Sequence, residues 1–309
     1  MSRRRKLTKK KALTTLLALI CVLVAGLVAP LLQPEAPLPE GSSFQVHYID
    51  VGQADAALII CDGKAMLIDG GNAEDSNLIY TYLKKHNIGH LDYIICTHAH
   101  EDHVGGMSGA LEYATAGMAY SPVTSYDTKA FRNFTSALSK RGVTLSVPTV
   151  GTEFTLGSAS CQILAVNTDT KDTNNTSIVL RIVYGQTSFL FTGDAEKAVE
   201  DVLIDSNFPL KSTVLKVGHH GSDSSSSYQF LREVMPEYSV ICVGKENSYG
   251  HPTNDVLSRL RDADVTLYRT DMHGDVICTS DGKTVSFQTA KNPTGSVFGD
   301  IGKNSAGVG

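Results

Sequence analysis

Apolar residues are gathered along this chain in two ways. One uninterrupted, uncharged run covers Ala12 to Leu32, while from residue 44 onward they come in short blocks separated by turn-forming residues. Arg3, Arg4, Arg5, Lys6, Lys9, Lys10 and Lys11 precede the long run. About 20 apolar residues suffice for a helix to cross a bilayer, and positive charge ahead of them holds that end in the cytoplasm. Residues 1–32 therefore read as an N-terminal membrane-targeting helix, either an uncleaved anchor or a secretory signal peptide. Ile20 before Cys21 is a poor fit to the small residue that lipid attachment needs. Residues 33–43, rich in Pro, Glu and Gly, read as a linker.

The short blocks predict a mixed α/β domain over residues 44–289. Phe44 to Val51 reads as a strand, and Ala57 to Ile60 with Ala65 to Ile68 as a hairpin on the Asp62-Gly63 turn. A helical stretch, Asp75 to His86, is followed by a buried strand at Leu91 to Cys96 and a helix from about Met107. Further along come a helix at Thr128 to Lys140, strands at Val143 to Val147 and Ser160 to Val166, and a hairpin of Ser177 to Tyr184 with Thr187 to Thr192. The second half repeats this grammar: helix Ala195 to Ile204, strand Ser212 to Val217, helix Tyr228 to Val234, strand Tyr238 to Val243 and helix Asn254 to Ala263. A last hairpin turns at Asp281-Gly282-Lys283. Two hairpin-rich sheets face to face with helices outside give an α+β fold, a four-layer αββα sandwich. Residues 290–309, rich in Gly, Ser and Asn, read as a disordered tail.

Composition changes this picture in two respects. With 309 residues, 42% of them hydrophobic, the chain can bury a large core. Its net charge of −5 conceals an imbalance, because seven of its 27 basic residues lie in the first eleven positions and none of its 32 acidic residues precedes Glu35. The rest carries 20 basic against 32 acidic residues, a net −12. That disfavours a broad DNA-binding face, since affinity for phosphate backbones comes from Lys and Arg. The six cysteines are scattered, four of them in apolar strand-like blocks, and form neither a disulfide framework nor a C-x-x-C knuckle.

The chemistry is concentrated in Thr97-His98-Ala99-His100-Glu101-Asp102-His103, on a loop between a buried strand and a helix. Three imidazoles and a carboxylate in six residues converge only if something offsets their crowding and desolvation, and a metal ion does this. His98 and His100 alternate on an extended backbone and can point the same way, leaving Asp102 and His103 to turn toward a second ion. Such donors suit zinc, with manganese or iron as alternatives. Glu101 reads as a solvated loop residue. His47, His86, His90 and His273 read as strand or helix surface without a role.

The H-x-H-x-D-H pattern resembles the metallo-β-lactamase superfamily. Asp50-Val51-Gly52-Gln53-Ala54-Asp55, Leu67-Ile68-Asp69-Gly70-Gly71, Asn175-Thr176-Ser177, Thr192-Gly193-Asp194, Lys216-Val217-Gly218-His219-His220-Gly221-Ser222 and Tyr249-Gly250-His251-Pro252 narrow the resemblance to the hydrolase domain of ComEC-type competence proteins, over about Phe44 to Gln288. The resemblance implies a metal-dependent hydrolase with two divalent ions, Zn2+ or Mn2+. They would be held by His98, His100, Asp102, His103, a shared Asp194 and the late histidine His220. His219 is the alternate for that last place or a supporting residue. Asp194 also reads as the N-cap of the helix that follows. The superfamily's middle histidine is missing, since no histidine occurs between His103 and His219, and Asn174 and Asn175 occupy that stretch. This leaves the first ion short of a ligand and keeps a one-metal site open.

His251 reads as a proton donor or an anion-binding residue, and Asp50, Gln53 and Asp69 as hydrogen-bonding supports of the ligand loop. Asp102 would orient the attacking water. The expected activity is phosphodiester hydrolysis outside the cytoplasm, on DNA, a nucleotide or another phosphodiester, with no obligate protein partner. A lactamase or lactonase, and a non-catalytic DNA-binding accessory, are the alternatives. Neither G-x-S-x-G nor a Walker loop suggests other chemistry.

Overall fold

The computed structural model describes residue 41 and residues 43–299, so the expected membrane helix, most of the linker and residues 300–309 lie outside the described residues. Among the described residues no helix is long and apolar enough to cross a membrane. Strands β1 (Phe44–Tyr48), β2 (Ala57–Cys61), β3 (Lys64–Ile68), β4 (His90–Ile95), β5 (Thr115–Tyr120) and β6 (Leu145–Ser146) build most of one sheet. The other comprises β7 (Glu153–Leu156), β8 (Ala159–Ala165), β9 (Val179–Tyr184), β10 (Thr187–Phe191), β11 (Val214–Lys216), β12 (Tyr238–Ile241) and β13 (Thr266–Arg269), which lie side by side in chain order.

The hairpin expected to close the second half does not stay there. Its strands β14 (Val276–Ser280) and β15 (Val285–Thr289) join the first sheet, with β14 antiparallel to β1 and Cys278 opposite Val46. The cause is apolar alternation: Val276 and Cys278 face the same core as Val46 and Tyr48. That core lies between the sheets and holds Phe44, Tyr184 and Phe189, whose rings pack with centroids 5.1 and 4.8 Å from Phe44. Each such side chain contributes about 1.5–3 kcal/mol on burial.

Two further apolar layers complete the sandwich. On the first sheet lie α1 (Ser76–Lys85), α3 (Met107–Tyr113) and α4 (Lys129–Lys140), reached after the short α2 (Glu101–Val104). Helix α4 shows why these stretches are helical: Thr128 caps it by accepting from the Phe131 amide, and Ala130, Phe131, Phe134 and Leu138 make one buried stripe. On the second sheet lie α5 (Lys197–Ile204), α6 (Tyr228–Val234) and α7 (Asn254–Asp262), followed by the short α8 (Thr270–His273). The four-layer order read from the sequence is the order found.

Three strands and two short helices escaped the sequence reading, α2 lying within the stretch that reads as a loop. Strand β5 carries Ala, Gly and Met through its middle and exposes much of its length, β7 has only four residues, and β13 with α8 interrupts a polar stretch. Two surface histidines were misread. His47 is 2% exposed, with Nδ1 2.9 Å from the Tyr82 hydroxyl, and His273 is buried with Nδ1 accepting from the Arg269 amide. The first part of the expected tail is also fixed: Val297 and Phe298 pack on the second-sheet core, and Arg269 donates to the Val297 carbonyl over 3.0 Å.

Candidate metal centre

The first ligand loop leaves β4 at its C-terminal end and enters α2, with His100 as the residue before that helix. Its position is set by backbone against backbone. A Cβ on Gly106 would come 2.0 Å from the Gly70 carbonyl oxygen, and one on Gly105 2.2 Å from the Ala73 amide, so only glycine fits at either place. The approach lets Gly70 donate to the His103 carbonyl over 2.7 Å. Asp69 completes the brace: it accepts from the Thr97 amide and hydroxyl, each at 2.7 Å, and from His103 Nδ1 at 2.9 Å. Asp69 therefore hydrogen-bonds the loop that carries His98 to His103. Asp50 does not, since it faces Gly52 and Lys291, and Gln53 instead accepts from the Gly244 amide.

The second sheet brings the remaining groups. Asp194 follows β10, and His219 and His220 follow β11, the strand parallel to β10. One donor atom from each of Asp102, His103, Asp194 and His220 lies within 4.8 Å of all the others. Asp194 is the hub, with Oδ1 3.3 Å from His103 Nε2, and Oδ2 3.6, 3.7 and 3.9 Å from Nε2 of His220, His219 and His98. His100 reaches the cluster through His98, Nδ1 to Nε2, 3.0 Å. Asp102 stands 3.3 Å from His220 Nε2 and is the most open of the four, its side chain 31% exposed. Glu101 is exposed, as expected. His251 presents its ring 5.6 Å from that of His219, with Nδ1 buried and unpartnered.

Two groups carry weight that the sequence reading did not assign. Asp55 is buried between the halves, paired with the buried Lys216 and placed with Oδ1 3.2 Å from His220 Nδ1. Lys216 also donates to the Gly193 carbonyl over 3.3 Å, next to Asp194. A lysine at the end of an apolar strand block was the available signal, because an unpaired charge is too costly to bury. Glu196 is the other, facing His219 Nδ1 at 3.4 Å.

The electrostatics are those of a crowded anionic pocket. Burial opposes charge on His103, but Asp194, Asp69 and Asp102 outweigh it and hold its pKa well above the usual value. Burial likewise opposes charge on His220, yet Asp194 and Asp55 lift its pKa to about 10. His98 goes the other way, lowered by burial and then by His103. Desolvation pushes the Asp102 and Asp194 carboxyls up, but His103 and His220 hold both below the usual range.

These residues fit a divalent metal. His103 Nε2, His220 Nε2, Asp194 Oδ1 and Asn174 Oδ1 are buried without a hydrogen-bond partner, which is costly unless something else fills their coordination. Donors held about 2.0–2.2 Å from one ion stand roughly 3 to 4 Å from each other, matching the separations around Asp194. The donors are imidazole nitrogen and carboxylate oxygen, which suit zinc, manganese or iron alike.

Comparison with known proteins agrees with this geometry. The sequence profile of the metallo-β-lactamase superfamily matches residues 49–245, and the chain belongs to that superfamily of hydrolases. It is similar to ComE operon protein 3 of Bacillus subtilis, 28% identical over 76% of this chain and 33% of the relative. Competence protein ComA of Neisseria gonorrhoeae is 32% identical over 82% of this chain and 34% of its own length. Recombination protein 2 of Haemophilus influenzae is 30% identical over 76% and 28%. The resemblance within the superfamily is thus to ComEC-like competence proteins, and the chain spans about a third of the length of these relatives. Among solved structures, the metallo-β-lactamase fold protein YhfI of Bacillus subtilis superposes with a TM-score of 0.51 at 13% identity, over 80% of this chain and all of that one. That likeness concerns the fold.

Proposed function

We propose that this chain is a metal-dependent phosphodiesterase acting outside the cytoplasm, anchored or exported through residues 1–32. The observation that carries the reading is Asp194, a buried carboxylate with donors from both halves of the molecule around its two oxygens. Two divalent ions at such a site would supply Lewis acidity and a water acidic enough to attack near neutral pH. His98, His100, Asp102, His103, Asp194 and His220 are the residues that would hold them. The likeness to competence proteins supports a phosphodiester over a lactam or lactone, as does the missing middle histidine. The −12 charge of the chain beyond its N-terminal segment favours a small phosphodiester or a single strand over a broad duplex contact.

The chain's own residues divide the work. Asp102 stays a carboxylate at the open side of the centre and can accept a proton-side hydrogen bond from the attacking water, aiming its lone pair at phosphorus. His251 has its pKa lowered by burial and then by His219 and His220, so near neutral pH it is an uncharged imidazole suited to accept a hydrogen bond or a proton. The donor role read from the sequence would need the substrate's own negative charge to raise that pKa.

The test is hydrolysis of an aryl phosphodiester by the full chain in detergent, supplied with zinc or manganese, beside His98→Ala. Metal-dependent turnover that the variant loses is the expected result. A folded wild type inactive with both metals would sink the proposal, and a lactone substrate or metal-independent oligonucleotide binding would then separate the two alternatives.

A further inference from the structure

His219 and His220 are consecutive, and both adopt left-handed backbone angles, φ 49° and ψ 47° for His219, φ 52° and ψ 21° for His220. Non-glycine residues adopt such angles only at a cost, and the strain persists where the surroundings impose it, most often at functional sites. Its effect here is visible. Neighbouring side chains on an extended strand point to opposite faces, yet these two rings both bring Nε2 to the same oxygen, Asp194 Oδ2, at 3.7 and 3.6 Å.

The other nitrogen of each ring is also provided for. A metal-bound imidazole characteristically gives its second nitrogen to a carboxylate or carbonyl, which sets the tautomer and aims the free lone pair at the ion. His103 has Asp69 for this, and His220 has the Cys242 carbonyl at 3.0 Å and Asp55. His219 has the same arrangement: Nδ1 faces Glu196 Oε1 at 3.4 Å and Ser224 Oγ at 3.3 Å, and Ser224 in turn donates to Glu196 over 2.9 Å. Beside its Nε2 lies Asn174, 3.5 Å away, whose own Oδ1 is buried without a partner. Asn175 is turned elsewhere, accepting from the Glu196 amide and donating to Asp172 and Glu196.

We infer that His219 is a ligand of the first ion, filling the place of the superfamily's middle histidine, with Glu196 as the carboxylate that orients it. The inference rests on the metal-dependent reading above. His219 and His220 are then not alternatives. One serves the ion bound by His98 and His100, the other the ion bound by Asp102 and His103, and Asp194 lies between.

Metal content separates the possibilities. The full chain in detergent is stripped with chelator and titrated with Co2+, following bound equivalents after desalting and the visible absorption of the bound ion. Asparagine tolerates left-handed angles, so His219→Asn keeps the turn. Wild type is expected to bind two equivalents and folded His219→Asn one. Glu196→Gln should bind both, one of them about tenfold to a hundredfold more weakly. Two ions at wild-type affinity in His219→Asn, loss of both from the folded variant, or an unchanged Glu196→Gln overturns the assignment. Should His219→Asn fail to fold, Glu196→Gln decides alone. A wild type that binds no metal takes down the metal-dependent reading itself, a result distinguishable from all of these.

Discussion

The two histidine loops reach one centre by opposite means. The first, from His98 to His103, carries no left-handed residue among its candidate ligands, is docked through Gly105 and Gly106 and is braced by Asp69. The second holds both of its histidines in left-handed conformations, and its surroundings supply the restraint. The His219 amide donates to the Gly193 carbonyl over 3.2 Å, the Ser222 amide to the His219 carbonyl over 2.8 Å, and Ser225 to the Gly218 carbonyl over 2.8 Å. Where glycines permit close docking, ligands can sit on relaxed backbone. Where two adjacent side chains must converge, the backbone is strained and the fold around it holds the strain.

The hub shared by both loops should give the largest effect. Asp194→Asn is expected to lower metal-dependent turnover about a thousandfold, equivalent to about 4 kcal/mol, measured as kcat/KM at saturating metal; a loss under tenfold would deny Asp194 its place between the halves. Next comes the docking of the first loop. Gly106→Ala, which drives a Cβ onto the Gly70 carbonyl, should destabilise the protein by about 3 kcal/mol in urea unfolding. A change under 1 kcal/mol would mean that the loop is not locked by its glycines.

Asp69→Asn sharpens the comparison, because it removes a support and leaves every ligand in place. Metal affinity should fall about tenfold to a hundredfold with little change in fold, read by chelator competition; unchanged affinity would make Asp69 a turn residue only. The smallest effect lies outside both loops. Burial, with His86 and Lys85, lowers the His47 pKa from 6.5 to about 4. Below 6.5 the unfolded chain binds a proton that the folded chain refuses, so stability falls as pH falls through that window. Between pH 7.5 and 5.5 this amounts to about 1 kcal/mol, and His47→Gln should lose that part of the pH dependence. An identical pH profile in the variant would show that His47 is not the group responsible.

Much of this was legible in the chain itself. The first ligand loop is local: His98, His100, Asp102 and His103 lie within six residues, between an apolar strand block and a Gly-Gly pair, and the pattern alone points to metal. Alternating blocks and Asp-Gly turns likewise announced two sheets with helices outside, because period and turn chemistry are properties of neighbouring residues. Asp194 was legible as a carboxylate ending a hairpin strand.

What the sequence by itself could not determine depends on contacts between distant segments. The last hairpin crosses to the first sheet because its buried face matches β1, more than 200 residues earlier. Asp55 and Lys216 acquire meaning only when the two halves bring a carboxylate and an ammonium together in a place where neither could be buried alone. The choice between His219 and His220 was likewise beyond the sequence. Two adjacent imidazoles look equivalent in a linear motif, and only a backbone held in the left-handed region by its bonds to Gly193, Ser222 and Ser225 turns both toward Asp194. Local chemistry is written in neighbouring residues, whereas strain and buried charge are decided by the tertiary structure that must hold them.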